Sequence, residues 1–214
     1  AVDRNWASTS RWMLAITISG IVLWHLDLLV VEIVSPSEAA TGHYAAIVLI
    51  ARMLHLVPLY IGFMVKPKVG YAFDKPEEHK ALQRAIDGSN AIVAAVSVAM
   101  LTGMIVWRDD ILGLFGPGFR AADVALIVLA SGVFAGGLAR QARSILMASG
   151  GERIVSRTAA GGLAIVVVVG APAVHLFGLD GMAAVSGAVV AGQNLIFCFF
   201  AKRRIEGIRP LTVV

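Results

Sequence analysis

Long apolar stretches follow one another along this chain, broken by short polar connections rich in Gly, Pro and Ser. A helix needs about 20 mostly apolar residues to cross the hydrocarbon core of a bilayer. Six stretches meet that length: residues 12–34, 44–65, 86–107, 124–149, 155–177 and 182–201. Membrane β-strands would alternate in polarity over about ten residues, and these runs are continuous and longer. The pattern predicts an all-α, polytopic membrane bundle of about six transmembrane helices, forming a single unit over residues 1–214. Ser35-Pro36-Ser37, Gly116-Pro117-Gly118, Gly150-Gly151 and Gly178-Leu179-Asp180-Gly181 supply the turn chemistry between runs. Consecutive helices are therefore expected to be antiparallel neighbours. The connection from Lys66 to Arg84 is the exception, long enough for a surface helix. The run 124–149 is the longest and is expected to tilt or to end in an interfacial turn.

Composition strengthens the pattern. Hydrophobic residues make up 58% of the 214 and charged residues 15%, against about 45–50% and about 25% in soluble domains. That much apolar surface exceeds what one core of this size can bury, so lipid is the expected solvent. The net charge of +4 does not point to nucleic acid, because the basic residues lie in short patches between apolar runs and not on one soluble face.

Those patches alternate with the runs. With the N-terminus inside, Arg4, Arg11, Lys66, Lys68, Lys75, Lys80, Arg84, Arg143, Arg153, Arg157, Lys202, Arg203, Arg204 and Arg209 fall on one side, and only Arg108 and Arg120 on the other. The positive-inside rule then puts both termini in the cytoplasm. Residues 12–34 are too long for a cleaved signal peptide and contain His25 and Asp27.

Candidate chemistry comes from polar groups at membrane depth, which are costly and therefore point to function or to pairing. Asp27 sits toward the outer end of the first run, flanked by His25 and Glu32. Arg52 and His55 share one face of the second, with Arg52 near mid-membrane. Arg52 is expected to line a polar cavity and either pair with Asp27 or meet an anionic substrate, a purely structural Asp27–Arg52 pair being the alternative, and Pro58, after them, can kink the helix and open such a cavity. Arg140 and Arg143 lie toward the inner end of the fourth run, where they either snorkel to the headgroups or hold a lipid phosphate. Gln193 and Asn194, in the middle of the sixth, are expected to hydrogen-bond between helices. The small residues Ala135-Gly136-Gly137 and Ala159-Ala160-Gly161-Gly162 suit close helix packing.

His79 and Glu77-Glu78 read as solvated, Asp109-Asp110 as an interfacial cap, and the one cysteine, Cys198, as packing in an apolar run. No HExxH, Walker A, Gly-x-Ser-x-Gly or His/Cys metal cluster is present. The chain is read as a non-enzyme with neither catalytic nor metal residues.

Several segments, in order, resemble the second half of oligosaccharide flippases. Leu26-Asp27-Leu28-Leu29-Val30 is similar to the segment that opens that half. Gly42-His43-Tyr44-Ala45-Ala46 with Ala51-Arg52-Met53-Leu54 is similar to its Gly-x-Tyr-x-Ala…Arg pattern. Leu112-Gly113-Leu114-Phe115-Gly116-Pro117-Gly118-Phe119 resembles the outer loop, and Ile145-Leu146-Met147-Ala148-Ser149-Gly150 the end of the helix after it. Phe177-Gly178-Leu179-Asp180-Gly181-Met182-Ala183-Ala184 resembles a Phe-Gly-x-x-Gly-Ala-Ala turn, and Arg203-Arg204-Ile205-Glu206-Gly207-Ile208-Arg209-Pro210 the cytoplasmic tail. Each motif is weak alone. The ordered set resembles the polysaccharide-exporter branch of the multidrug/oligosaccharidyl-lipid/polysaccharide exporter superfamily.

That resemblance implies two six-helix halves around a cavity at the repeat interface, this chain being the C-terminal half in a bacterial cytoplasmic membrane. The chain begins Ala1-Val2-Asp3 without Met, so a missing N-terminal half or a second copy is an expected partner, with membrane lipids and, in a glycan pathway, a polymerase or glycosyltransferases. The implied activity is outward movement of a lipid-linked oligosaccharide by alternating access. H⁺ or Na⁺ coupling would need no other cofactor. Only Asp27 and Arg52 carry over as cavity residues. A cation-coupled multidrug or metabolite antiporter and a non-transporting scaffold of a glycan synthase complex are the alternatives.

Overall fold

The computed structural model describes residues 2–35, 37–72 and 76–204, and every long element among them is a helix. In order these are α1 (Val2–Val34), α2 (Glu38–Arg52), a 3₁₀ turn (Met53–His55), α3 (Leu56–Ala72), α4 (His79–Val106), a short α5 (Arg108–Gly113), α6 (Asp123–Leu138), α7 (Gln141–Ala148) and α8 (Glu152–Arg204). Five helical stretches are long and apolar enough to cross a membrane. Much of their apolar surface faces outward, as at Leu176, Phe177, Met64 and Val168. Apolar helices with exposed apolar flanks require a lipid surround. The chain is a multi-pass, all-α membrane protein.

α8 is one of the five but carries two passes. At 53 residues it would extend about 80 Å if straight, far more than a bilayer core of about 30 Å. It folds back at Gly178, whose φ of 61° and ψ of −140° lie outside helical space. The arms 152–177 and 179–204 run antiparallel. Gly170 faces Met182, and the Gln193 amide donates to the Thr158 carbonyl, pairings that converge on the turn. Leu, Val or Ala cannot hold that backbone conformation without strain of about 1–3 kcal/mol.

Two other passes are broken in the middle. Pro58 has no N–H for the Leu54 carbonyl, and its ring crowds that carbonyl. The helix accommodates this by tightening to 3₁₀ over Met53–His55, with the Leu56 N–H on the Met53 carbonyl. The fourth pass breaks between α6 and α7, where the Arg140 N–H bonds to the Gly137 carbonyl and the Ala142 N–H to Ala139. So the run 124–149 is two helices and not one tilted one. The two breaks touch: a methyl group on Gly137 would lie 3.3 Å from the Pro58 ring. Cys198 fills in beside them, its Sγ 3.7 Å from the Ala139 carbonyl oxygen.

The hairpin is the centre of the bundle. It packs on α1 on one side and on α6 and α7 on the other, with α2 and α3 beside α6 and α7 and with α4 outermost. Close approach at Gly132 sets the α6–α8 spacing: a methyl group there would collide with the Gly187 backbone. The connection Lys66–Arg84, long enough for a surface helix, holds no separate α-helix among the described residues. α3 continues to Ala72 and α4 starts at His79, so the two membrane helices take up most of that connection. His79 is half-buried and not solvated, its Nε2 shielded from solvent. Asp109 and Asp110 occupy the first turn of α5, where acidic groups favour the helix N-terminus.

Two apolar clusters close the bundle at opposite ends. One gathers Val31, Tyr44, Ile47, Leu112, Leu126 and Met182 at the end away from the basic patches. The other gathers Ile16, Val65, Ile86, Leu146, Val155 and Phe197 at the basic end.

Candidate functional site

A partly open cavity of about 720 Å³ lies between the two apolar clusters. Its walls come from α1, the broken pass α2–α3, the broken pass α6–α7 and both arms of α8. All six candidate site residues line it: Asp27, Arg52, His55, Arg140, Gln193 and Asn194. Arg143 and His25 join them. In sequence these residues are dispersed over four apolar runs. Folding brings them to one place because each would otherwise face lipid, at about 2.5–3.5 kcal/mol per central charge.

The wall at α1 and α2 holds a compensated pair. Arg52 Nη2 lies 3.1 Å from Asp27 Oδ1 and 3.4 Å from Oδ2. Asp27 is 6% exposed and also accepts from the Leu28 N–H at 2.9 Å. The Arg52 guanidinium stacks 4.9 Å over the Trp24 ring. Carboxylate and aromatic face together offset what desolvation takes from the guanidinium.

The other polar group spans the two helix breaks. Arg140 Nη1 lies 2.6 Å from His55 Nε2. A guanidinium has donors only, so Nε2 is the acceptor and the imidazole is neutral with its proton on Nδ1. His55 is buried, with its ring edge-on to Trp24 at 5.6 Å. Trp24 therefore contacts both cationic regions of the cavity.

The contact also sets direction. Arg140 reaches into the cavity, from a point just after its helix breaks.

Gln193 bridges the arms of α8 as an interhelical donor, 3.3 Å from the Thr158 carbonyl oxygen. Asn194 does not: its amide donates to Val190, one turn back in its own helix, at 2.9 Å. Glu32 is exposed and His25, though it lines the cavity, is largely exposed too.

Trp24 and Ser186 belong to the site region without a signal in the sequence, and Tyr44, singled out there only by its place in the Gly-x-Tyr-x-Ala pattern, joins them. Tyr44 is fully buried, with its hydroxyl 3.4 Å from Ser186 Oγ, and Ser186 lines the cavity. Uncharged residues carry no depth penalty that would mark them. Among the described residues no group of three or more His, Cys, Asp or Glu is placed to hold a metal ion. The arrangement places cationic side chains where an anionic group can bind inside an apolar bundle.

No protein-family model, curated protein or solved structure matches the chain.

Proposed function

We propose that this chain is the C-terminal half of a polysaccharide-exporter-type flippase in the bacterial cytoplasmic membrane. It moves an undecaprenyl-type lipid-linked oligosaccharide outward by alternating access. The observation that carries this reading is the cavity inside the bundle, with three arginines and one carboxylate on its walls and an apolar cluster at each end. Such a cavity can receive a charged headgroup while the lipid tail stays in the bilayer.

Two further features support it. Helices interrupted beside a midplane cavity are the usual construction of secondary-transporter sites, and two passes here are interrupted at the cavity wall. The segments that resemble exporter motifs also run in family order along the chain. The missing half or a second copy would close the cavity on its remaining side.

The test is depletion of the protein in cells, followed by assay of lipid-linked glycan in the outer leaflet. The expected result is a fall there with accumulation of precursor inside. An unchanged outer-leaflet level overturns the proposal. Loss of glycan without precursor accumulation favours a scaffold, and cation-driven efflux that requires Asp27 favours an antiporter.

A further inference from the structure

Positive charge in the cavity is not balanced. Asp27 is the one acidic side chain among the lining residues, and Arg52 occupies it. Among the described residues no carboxylate lies within 4.0 Å of Arg140 or Arg143. Their guanidiniums line the same cavity, one helical turn apart. His55 directs Arg140 but, being an acceptor at Nε2, adds no negative charge. Two cavity-lining cations, one of them directed by His55, with no carboxylate beside them are the reverse of what a purely structural site needs, since buried charges are otherwise paired.

The spacing and the charge identify the ligand chemistry. Residues three apart on a helix have side chains about 5–6 Å apart at Cβ, close enough for both forks to meet one phosphate or two linked ones. A monocarboxylate would leave one guanidinium unmatched. A phosphate monoester or a diphosphate carries two or more negative charges and matches both, with the bidentate geometry that arginine favours. We infer that Arg140 and Arg143, with His55 as the positioning residue for Arg140, form a seat for a phosphate or diphosphate group. Arg52, held by Asp27 and Trp24, shapes the wall and is not the anion's main partner. The seat deepens the function proposed above, since a lipid-linked glycan presents a diphosphate, but binding at the seat does not depend on transport.

The full chain in detergent is titrated with three probes: inorganic pyrophosphate, farnesyl diphosphate and, as the uncharged control, farnesol. Farnesyl diphosphate should raise the unfolding temperature and bind with an affinity that falls with salt, and farnesol should do neither. R140Q/R143Q should bind the diphosphate at least about tenfold more weakly, two charge-assisted contacts being lost, while R108A binds as the wild type does. If R140Q/R143Q does not fold, the wild type still decides. Equal binding of farnesol and farnesyl diphosphate overturns the seat, as does equal diphosphate affinity in wild type and a folded R140Q/R143Q.

The probes also separate the sources. Pyrophosphate as tight as farnesyl diphosphate indicates that free phosphate suffices, and a large preference for farnesyl diphosphate indicates a lipid-borne one. Either result supports the seat. Phosphatidylglycerol that copurifies with the wild type and not with R140Q/R143Q, by native mass spectrometry, and that diphosphate does not displace overturns it, because a diester carries one charge and leaves one guanidinium unmatched. Diphosphate binding without glycan transport in cells removes the flippase and keeps the seat. Normal transport by R140Q/R143Q together with unchanged diphosphate affinity removes the seat and keeps the flippase.

Discussion

The two cationic regions of one cavity treat buried charge in opposite ways. On the wall formed by α1 and α2, Arg52 is held by a carboxylate at 3.1 Å and by an indole face. At the helix breaks, Arg140 bonds a neutral imidazole, and among the described residues no carboxylate lies within 4.0 Å of Arg140 or of Arg143, which lines the cavity. The first is a closed electrostatic unit that needs nothing from outside. The second is oriented but uncompensated. The difference teaches that position in an apolar bundle does not by itself make an arginine a ligand contact. What matters is whether the protein already supplies the counter-charge.

The contrast is most sharply tested by stability. Arg52→Ala leaves Asp27 as a lone buried carboxylate and should cost about 3–5 kcal/mol, measured by denaturant unfolding in detergent. Arg143→Ala removes a like charge from beside Arg140 and should leave the unliganded protein as stable or slightly more so. Equal losses in the two variants would erase the distinction between the regions. The double variant D27N/R52Q replaces the ion pair by neutral amides and should regain most of the stability lost in Arg52→Ala, because neither partner is then a stranded charge.

Smaller effects probe the shared frame. Gly132→Ala forces α6 away from α8 at the Gly187 backbone and should cost about 1–3 kcal/mol through overpacking. Because α6 and α8 wall both regions, thermal unfolding should fall with the Arg52–Asp27 pair and the diphosphate seat weakened together. His55→Gln should cost about 1 kcal/mol and act on one region only, lowering diphosphate affinity while the Arg52–Asp27 pair stays intact. A double-mutant cycle between His55 and Arg140 measures that coupling. The smallest effect belongs to Arg108→Ala at the opposite end. Its Nε is 3.0 Å from Asp123 but is not aligned to donate, and both side chains are partly exposed. A loss below about 1 kcal/mol is expected there, and a larger one would mean that surface pairs matter as much as the cavity pair.

Particular residues show what could be read in advance. The Asp27–Arg52 contact follows from depth and cost, since two opposite charges in neighbouring apolar runs are each cheaper together than apart. Pro58 announced a kink, because the missing N–H and the ring clash are local facts. Gly178 announced a turn, although helix continues on both sides of that single residue. The break between α6 and α7 was not legible. Gly136 and Gly137 precede it, but similar pairs such as Gly161-Gly162 sit in unbroken helix. What differs is the partner, Pro58 against Gly137 from another pass. The inward aim of Arg140 followed from that break and was hidden with it. Trp24 and Ser186 carry no charge to advertise depth, so only their neighbours reveal them.

The order of apolar and polar stretches by itself determined an all-helical, multi-pass membrane chain. The reason is that the length of an apolar run and the hydrogen-bonding demand of its backbone are local properties. Tertiary structure alone decided which polar groups meet. His55 and Arg140 are 85 residues apart in the chain and Gln193 and Thr158 are 35 apart. A helix interior presents its side chains around the full circle, and only packing against other helices selects which of them face a common cavity.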